Sequence, residues 1–257
     1  MTAIFDTHAH YDDEAFAEDR EELLLSLPSQ GIGRVVNVGS SLDSCKKTLE
    51  LMDSYDYIYG AIGIHPSDTA ELTESDMDWL KACCNHRKCV AVGEIGLDYY
   101  WDEPERELQK KWFVRQLELA RQVKKPVIIH SREAARDTAD ILTEERAGEI
   151  GGVIHCYSYT KEMAKIYLDM GFFFGIGGVL TFNNAKKLKE AVEYIPMDRI
   201  VLETDSPYLA PVPNRGKRNS SGYLPYVVAA MARIKGLDEE EIRKTTWDNA
   251  LRLYRMD

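Results

Sequence analysis

Six histidines occur in this chain of 257 residues. His8 and His10 stand two apart inside IFDTHAHYDD, at residues 4–13. Residues two apart on an extended strand point the same way, so both imidazoles face one side, with the small Ala9 turned to the other. His65, His130 and His155 each close a short apolar run (GAIGIHP, PVIIHS, GGVIHCY), while His86 lies in the charged stretch CCNHRKC. Glu94 and Asp205 end two more runs, VAVGEIG and RIVLETD. One histidine at a strand end is ordinarily a hydrogen-bonded loop residue, and one carboxylate a cap or a surface charge. Five of six histidines at one topological edge point instead to a metal site. Imidazole nitrogens with carboxylate oxygens suit Zn²⁺, Mn²⁺ or Fe²⁺, and suit Mg²⁺ less well as histidines accumulate. The donor count suggests two cations sharing one carboxylate, with Glu94, from the middle of the chain order, as the bridge. Such a pair generates hydroxide from a bridging water near neutral pH and clamps a phosphoryl or carbonyl oxygen. Asp205 is the expected base for that water.

The runs that carry these residues number eight, beginning near residues 3, 33, 57, 89, 126, 151, 172 and 199. They are continuously apolar rather than alternating, as parallel strands buried on both faces are. Helical patterns lie between them. Residues 104–124 put Leu108, Trp112, Phe113, Leu117, Ala120 and Val123 on one stripe, with Pro104 in the first turn. Residues 161–170 group Met163, Ile166, Tyr167 and Met170, and Gly171 ends that helix. Asp238 caps the last helix, with Glu241 three residues on. Eight strands alternating with helices over this length predict one (β/α)8 TIM barrel spanning 1–257, its metal site at the C-terminal strand ends. An open doubly wound sheet has the same pattern.

Acidic residues outnumber basic ones 43 to 32, which excludes broad coating of nucleic acid but not a local phosphate site. No run of eighteen apolar residues and no signal-peptide pattern occurs, and the five cysteines form no even framework, so a cytoplasmic protein without a membrane span is expected. Arg215, Lys217 and Arg218 form the densest basic cluster, just after the eighth run, where barrels hold phosphate. Asn219 could add a hydrogen bond. His65 and Arg132 are further candidates for substrate phosphate. GIGG at 175–178 reads either as an anion-binding backbone or as tight packing. Tyr99, Tyr100 and Trp101 could stack bases or fill core. Glu203 reads as support for the site or as a group buried lower in the barrel. The cysteines of CCNHRKC lack zinc spacing.

FDTHAH, GIHP, VGEIGLDYYWD, HSREA, HCYS, ETDSPYLAP and RGKRN follow one another across nearly the whole chain. Together they resemble the TatD family of metal-dependent deoxyribonucleases, within the amidohydrolase superfamily. The resemblance implies a TIM barrel with up to two divalent cations (Mg²⁺, Mn²⁺ or Zn²⁺). It implies that His8, His10, Glu94 and Asp205 hold one cation and Glu94, His130 and His155 the other. It further implies phosphodiester hydrolysis at DNA ends, 3′ to 5′, on single-stranded or frayed substrate, with a monomer favoured. Two places depart from the family pattern: Tyr157, Ser158 and Tyr159 after the sixth-run histidine, and Ser220, Ser221 and Gly222 after RGKRN. Both are read here as loops that tune substrate preference. The rival activity is amide or ester hydrolysis, for instance an aminoacyl-tRNA deacylase. A dead, non-catalytic barrel is the other alternative.

Overall fold

The computed structural model describes residues 1–256. Eight strands form one parallel sheet in chain order: β1 (Ile4–Ala9), β2 (Ile32–Val38), β3 (Ile58–Ile62), β4 (Cys89–Asp98), β5 (Val127–Arg132), β6 (Gly152–Ile154), β7 (Phe173–Ile176) and β8 (Ile200–Leu202). The ring closes where β1 meets the segment after β8. Ala9 bridges Ser206, Asp205 N–H donates to the His8 carbonyl at 2.9 Å, and His10 N–H donates to the Ser206 carbonyl at 2.8 Å. The sheet is therefore a (β/α)8 barrel, not an open doubly wound sheet. Its closing seam is made by the two segments that carry His8, His10 and Asp205.

Helices cover the outside: α1 (Arg20–Ser26), α2 (Leu42–Ser54), α3 (Glu74–Cys83), α4 (Arg106–Val123), α5 (Ala135–Glu144), α6 (Lys161–Asp169), α7 (Lys186–Tyr194), α8 (Leu224–Lys235) and α9 (Glu239–Tyr254). Their starts follow local chemistry. Ser41 and Asp238 accept from the third residue of α2 and α9, and Thr73 with Asp76 forms a capping box on α3. Two apolar layers result. Phe5, Val36, Ala61, Ile128, Val153 and Val201 fill the barrel with Tyr254 of α9, while a larger cluster lies between sheet and helices.

The strand parity is not simple alternation. Phe5 belongs to the inner cluster and Ala9 to the outer one, although residues four apart on a regular strand share a face. The β1–β2 register slips between Asp6 and Ala9, and that irregularity turns His8 and His10 inward. Strand β4 repeats the device. Its register against β5 slips between Val92 and Ile95, after which Ile95 and Leu97 pack outward and Glu94 faces the barrel mouth. Slips of this kind re-aim side chains at barrel rims.

One helix reading needs correction and one needs adding to. On α6 the buried residues are Ala164 and Tyr167, and Ile166 is exposed. The stripe therefore runs one position away from Met163 and Ile166. On α4, Trp112, Phe113, Leu117 and Ala120 are buried as the periodicity requires, but so are Gln109 and Gln116. Gln116 accepts from Ile64 N–H and donates to Ile64 O, and Gln109 does the same at Asp98. Each amide satisfies both backbone groups of a buried residue whose chain is leaving the sheet. Two mouth loops are thereby braced by one helix.

Candidate metal centre

Four side-chain atoms converge at the seam of the barrel mouth. His8 Nε2 lies 3.0 Å from His10 Nε2, 3.4 Å from Glu94 Oε2 and 3.8 Å from Asp205 Oδ1. His10 Nε2 lies 3.6 Å from the same Glu94 oxygen and 3.5 Å from the same Asp205 oxygen. A cation about 2.1 Å from four ligands keeps neighbouring donors about 3.4 Å apart, so these spacings are those of a coordination shell. The other Glu94 oxygen, Oε1, is 2.7 Å from His130 Nδ1 and 2.7 Å from His155 Nε2, which are 3.3 Å from each other. One carboxylate thus faces two clusters of donors.

The far side of each imidazole decides which nitrogen offers its lone pair. His10 Nδ1 lies 2.9 Å from the Val38 carbonyl, which can only accept. His10 Nδ1 therefore carries the hydrogen and Nε2 the lone pair. His130 Nε2 is 3.0 Å from Asp98 Oδ2, so its Nδ1 is the free donor. His155 Nδ1 makes no hydrogen bond, with Glu203 Oε1 3.6 Å away, and its Nε2 faces Glu94 in the site. Carboxylates and carbonyls behind imidazoles fix the tautomer of metal-bound histidines in this way. His8 Nδ1 has no partner, and its ring is held by stacking on His155, with centroids 4.0 Å apart. The donor set therefore fits a pair of divalent cations.

His65 has the opposite polarity. Its Nδ1 accepts from Ser67 N–H at 3.2 Å, capping the turn Pro66–Asp68. Its Nε2 therefore carries the hydrogen, and the ring presents a neutral donor, edge-on to His130 with centroids 4.3 Å apart. His65, Asp98 and His130 are close enough to resemble a third group of ligands, but two of the nitrogens turned inward there hold protons.

Burial opposes charge on all these groups, and for most the partners override it. Glu94 is held well below the usual carboxylate range by His155, His8 and His130, and Asp205 is lowered by His10, His155 and His8. Despite burial, His10 rises to about 9 through Asp205 and Glu94. His130 is raised by Asp98 and Glu94, and His155 by Glu94 and Glu203. His8 goes down through burial and the neighbouring His155. His65 falls to about 3 through burial and His130, so it stays neutral at physiological pH.

A pH dependence follows. His10 has a folded pKa raised from 6.5 to about 9. Without metal it stabilises the fold below pH 6.5, and that increment is lost as pH rises through about 9. Chelator-treated protein should lose melting temperature across this window, and metal-loaded protein should not. Loading at pH 7.5 should release at least about one proton per chain. Calorimetry in two buffers of different ionisation enthalpy reads that number, and a buffer-independent heat would contradict it.

Two residues reach the site through left-handed backbone. Asp205 has φ 56° and Cys156 φ 44°. For non-glycine residues this conformation costs roughly 1–2 kcal/mol each, and such strain gathers at functional sites. Glycines make room elsewhere. A Cβ on Gly96 would sit 1.9 Å from the His130 carbonyl, and one on Gly175 would sit 1.9 Å from Glu203 Oε2. GIGG is thus a packing motif that admits the buried Glu203, rather than an anion-binding backbone.

The remaining expected residues are placed unevenly. Arg132 stacks 3.8 Å from the Tyr100 ring centroid at the rim. Arg215 lies 4.3 Å from the Phe182 centroid, and Lys217 reaches only Asn214. Arg218 departs from the expectation: its guanidinium is committed to Asp19 at 2.5 and 2.7 Å and to the Ala15 carbonyl. It ties the loop after β8 to the loop after β1. Asn219 is likewise spent on the carbonyls of Thr204 and Tyr208. Tyr99 binds Asp137, leaving Tyr100 and Trp101 exposed. The two departures from the family pattern contain buried residues: Tyr157 packs on Phe174, and Ser221 donates to Asp6. Those two side chains belong to the scaffold rather than to a substrate surface.

Asp98 is the main residue that sequence reading missed. Its signal was the alternation in Glu94-Ile95-Gly96-Leu97-Asp98, which puts the two carboxylates on one face. Asp98→Asn, with its oxygen kept on the Tyr100 and Trp101 N–H groups, turns an NH₂ instead of an acceptor to His130 Nε2. Affinity for the cation beside His130 and His155 should fall about 10–100-fold, with the His8–His10 side unchanged. A titration against a competing chelator checks this, and equal weakening on both sides would contradict it.

A family model described as TatD related DNase matches residues 5–255. The uncharacterized metal-dependent hydrolase YabD of Bacillus subtilis is 43% identical over 254 residues, covering 99% of this chain and all of the relative. The similarly named YcfH of Escherichia coli K12 is 35% identical, with 99% and 96% covered. Among solved structures, the TatD homolog YjjV of Escherichia coli K12 superposes with a TM-score of 0.92 at 28% identity, covering 99% and 98%. An organophosphorus hydrolase mutant superposes at 0.61 with 17% identity, a likeness of fold alone.

Proposed function

The chain belongs to the TatD-related DNase family, and on that premise we propose that it is a divalent-metal-dependent phosphodiesterase acting on DNA ends. The observation that carries this reading is one carboxylate, Glu94, lying between His8 and His10 on one side and His130 and His155 on the other. His8, His10, Glu94 and Asp205 would hold one cation, and Glu94, His130 and His155 would hold a second, with Mg²⁺, Mn²⁺ or Zn²⁺ as candidates. When bound, two such cations supply Lewis acidity at a phosphoryl oxygen and an acidified water.

The chain's own residues do the rest. Asp205 is kept ionised in a buried setting and takes the proton of the attacking water on its carboxylate. His65 offers Nε2–H to a phosphoryl oxygen, and its low pKa keeps it a neutral donor. Arg132, Arg215 and Lys217 hold flanking phosphates. Arg218, fixed by Asp19, positions the loop that carries the last two. Tyr100 and Trp101, both exposed, stack unpaired bases at about 1–3 kcal/mol each, which favours single-stranded or frayed ends; digestion from the 3′ side rests on the family resemblance. All five cysteines are free, which supports a reducing, cytoplasmic setting. Among the described residues no helix is long and apolar enough to cross a membrane.

Cleavage of end-labelled single and double strands, with each metal in turn, tests the reading. We expect mononucleotides released from the 3′ end, fastest on single strands. Arg215→Ala with Lys217→Ala should raise KM about tenfold and change kcat little. Intact DNA with every metal, beside hydrolysis of an aminoacyl ester, would overturn the reading in favour of a deacylase.

A further inference from the structure

Below the N-terminal ends of β2 to β5, at the end of the barrel opposite the metal centre, lies a cavity of about 380 Å³. Of its eleven lining residues five are cationic (Arg34, Arg87, Lys124, Lys125 and Arg255) and, among the described residues, none is acidic. The chain as a whole carries 43 acidic and 32 basic residues, so this wall runs against the average charge.

Three of the five cations, Arg34, Lys125 and Arg255, are held by contacts with the fold. Lys125 donates from Nζ to the Cys89 carbonyl at 2.6 Å, which uses one of three ammonium hydrogens. Arg255 donates to the carbonyls of Lys124 and Ile150 at 2.9 and 2.7 Å. Lys124 and Arg255 each sit in a left-handed turn, with φ of 57° and 54°. The Arg34 guanidinium lies over the Tyr59 and Trp247 rings, at 5.5 and 5.6 Å from their centroids. The partners of Lys125 and Arg255 are neutral carbonyls, so their positive charge is oriented without being cancelled. Like charges gathered around one concavity repel, and a bound anion relieves that repulsion through charge-assisted hydrogen bonds.

The geometry points to a second binding site on the barrel floor, for a small phosphate-bearing anion of nucleotide size. The volume is that of a small-ligand pocket and leaves no room for a duplex. The recognised group is a phosphate or diphosphate, with Tyr59 beside it for an attached ring. This inference does not depend on the reaction at the metal centre.

Calorimetric titration of the metal-loaded protein with ADP and with pyrophosphate tests it, using wild type, Arg87→Glu/Lys124→Asn and Lys125→Met. Asparagine tolerates the left-handed turn at 124. Wild type should bind both ligands at a site additional to the metal centre, resolved as a second step of the isotherm, and both variants should bind at that step at least about tenfold more weakly. DNA cleavage by the variants should match wild type, which shows that they fold and separates floor binding from binding at the metal centre. Equal affinity for pyrophosphate and ADP would mean that the diphosphate alone is read, and tighter ADP would mean that the ring is read as well; either supports the site. No binding by wild type, or undiminished binding by variants of normal activity, would overturn it.

Discussion

Asp205→Asn lowers kcat about 10²–10⁴-fold while the protein keeps most of its metal. The carboxamide retains shape and one oxygen donor but cannot take a proton from water. A cation beside His130 and His155 would be held by Glu94 Oε1, His130 Nδ1 and His155 Nε2, without needing Asp205. The cation beside His8 and His10 keeps three of four donors. Metal content should therefore stay between one and two per chain, as read by atomic emission after gel filtration. Substrate binding should change little, so the loss falls on kcat rather than KM. Near-normal cleavage by this variant would remove Asp205 from the role of base. Parallel loss of all metal would recast it as a ligand first.

Glu94→Gln has the larger effect on the metals themselves. Glu94 turns one carboxylate oxygen to each cluster. Replacing it by a neutral amide removes the charge that two cations would share and places an NH₂ against one pair of lone pairs. Affinity should fall by more than about 100-fold on both sides, and activity should disappear with it. The contrast between the two variants is the informative result. Asp205→Asn separates metal from turnover, and Glu94→Gln loses both together. A Glu94→Gln protein that still holds one cation tightly would mean that the carboxylate serves one cluster alone.

Much of this was legible from residue order because a TIM barrel turns chain order into position. Once eight apolar runs are recognised, their C-terminal ends meet at one mouth. The histidines and carboxylates at those ends are neighbours whatever their separation in the chain. The register slips in β1 and β4 were not legible, since hydrophobicity does not record a one-residue irregularity. Parity read from His8 and His10 holds locally, yet Phe5 and Ala9 show that it fails across the strand. Asp98 escaped attention because it resembles the start of a loop, and its role depends on the ring of His130 from the adjacent strand. Gln109 and Gln116 look like solvent-facing helix residues until the strand ends they brace are known. Arg218 and Asn219 show the converse. They stand beside Arg215 and Lys217, which have no ion pair among the described residues, and nothing in the sequence states that Asp19 and three carbonyls already occupy Arg218 and Asn219. The glycines of GIGG were open between two readings, and the carboxylate of Glu203, filling the space a Cβ would need at Gly175, decides for packing.

The central claim is that two cations share Glu94 across the barrel mouth. Crystals grown with Mn²⁺ and measured at the manganese edge test it most directly. The account predicts two anomalous peaks. One lies about 2.0–2.3 Å from His8 Nε2, His10 Nε2, Glu94 and Asp205, and the other at like distances from Glu94, His130 Nδ1 and His155 Nε2. Peaks on His65 Nε2 in place of either, or none within reach of Glu94, would contradict it.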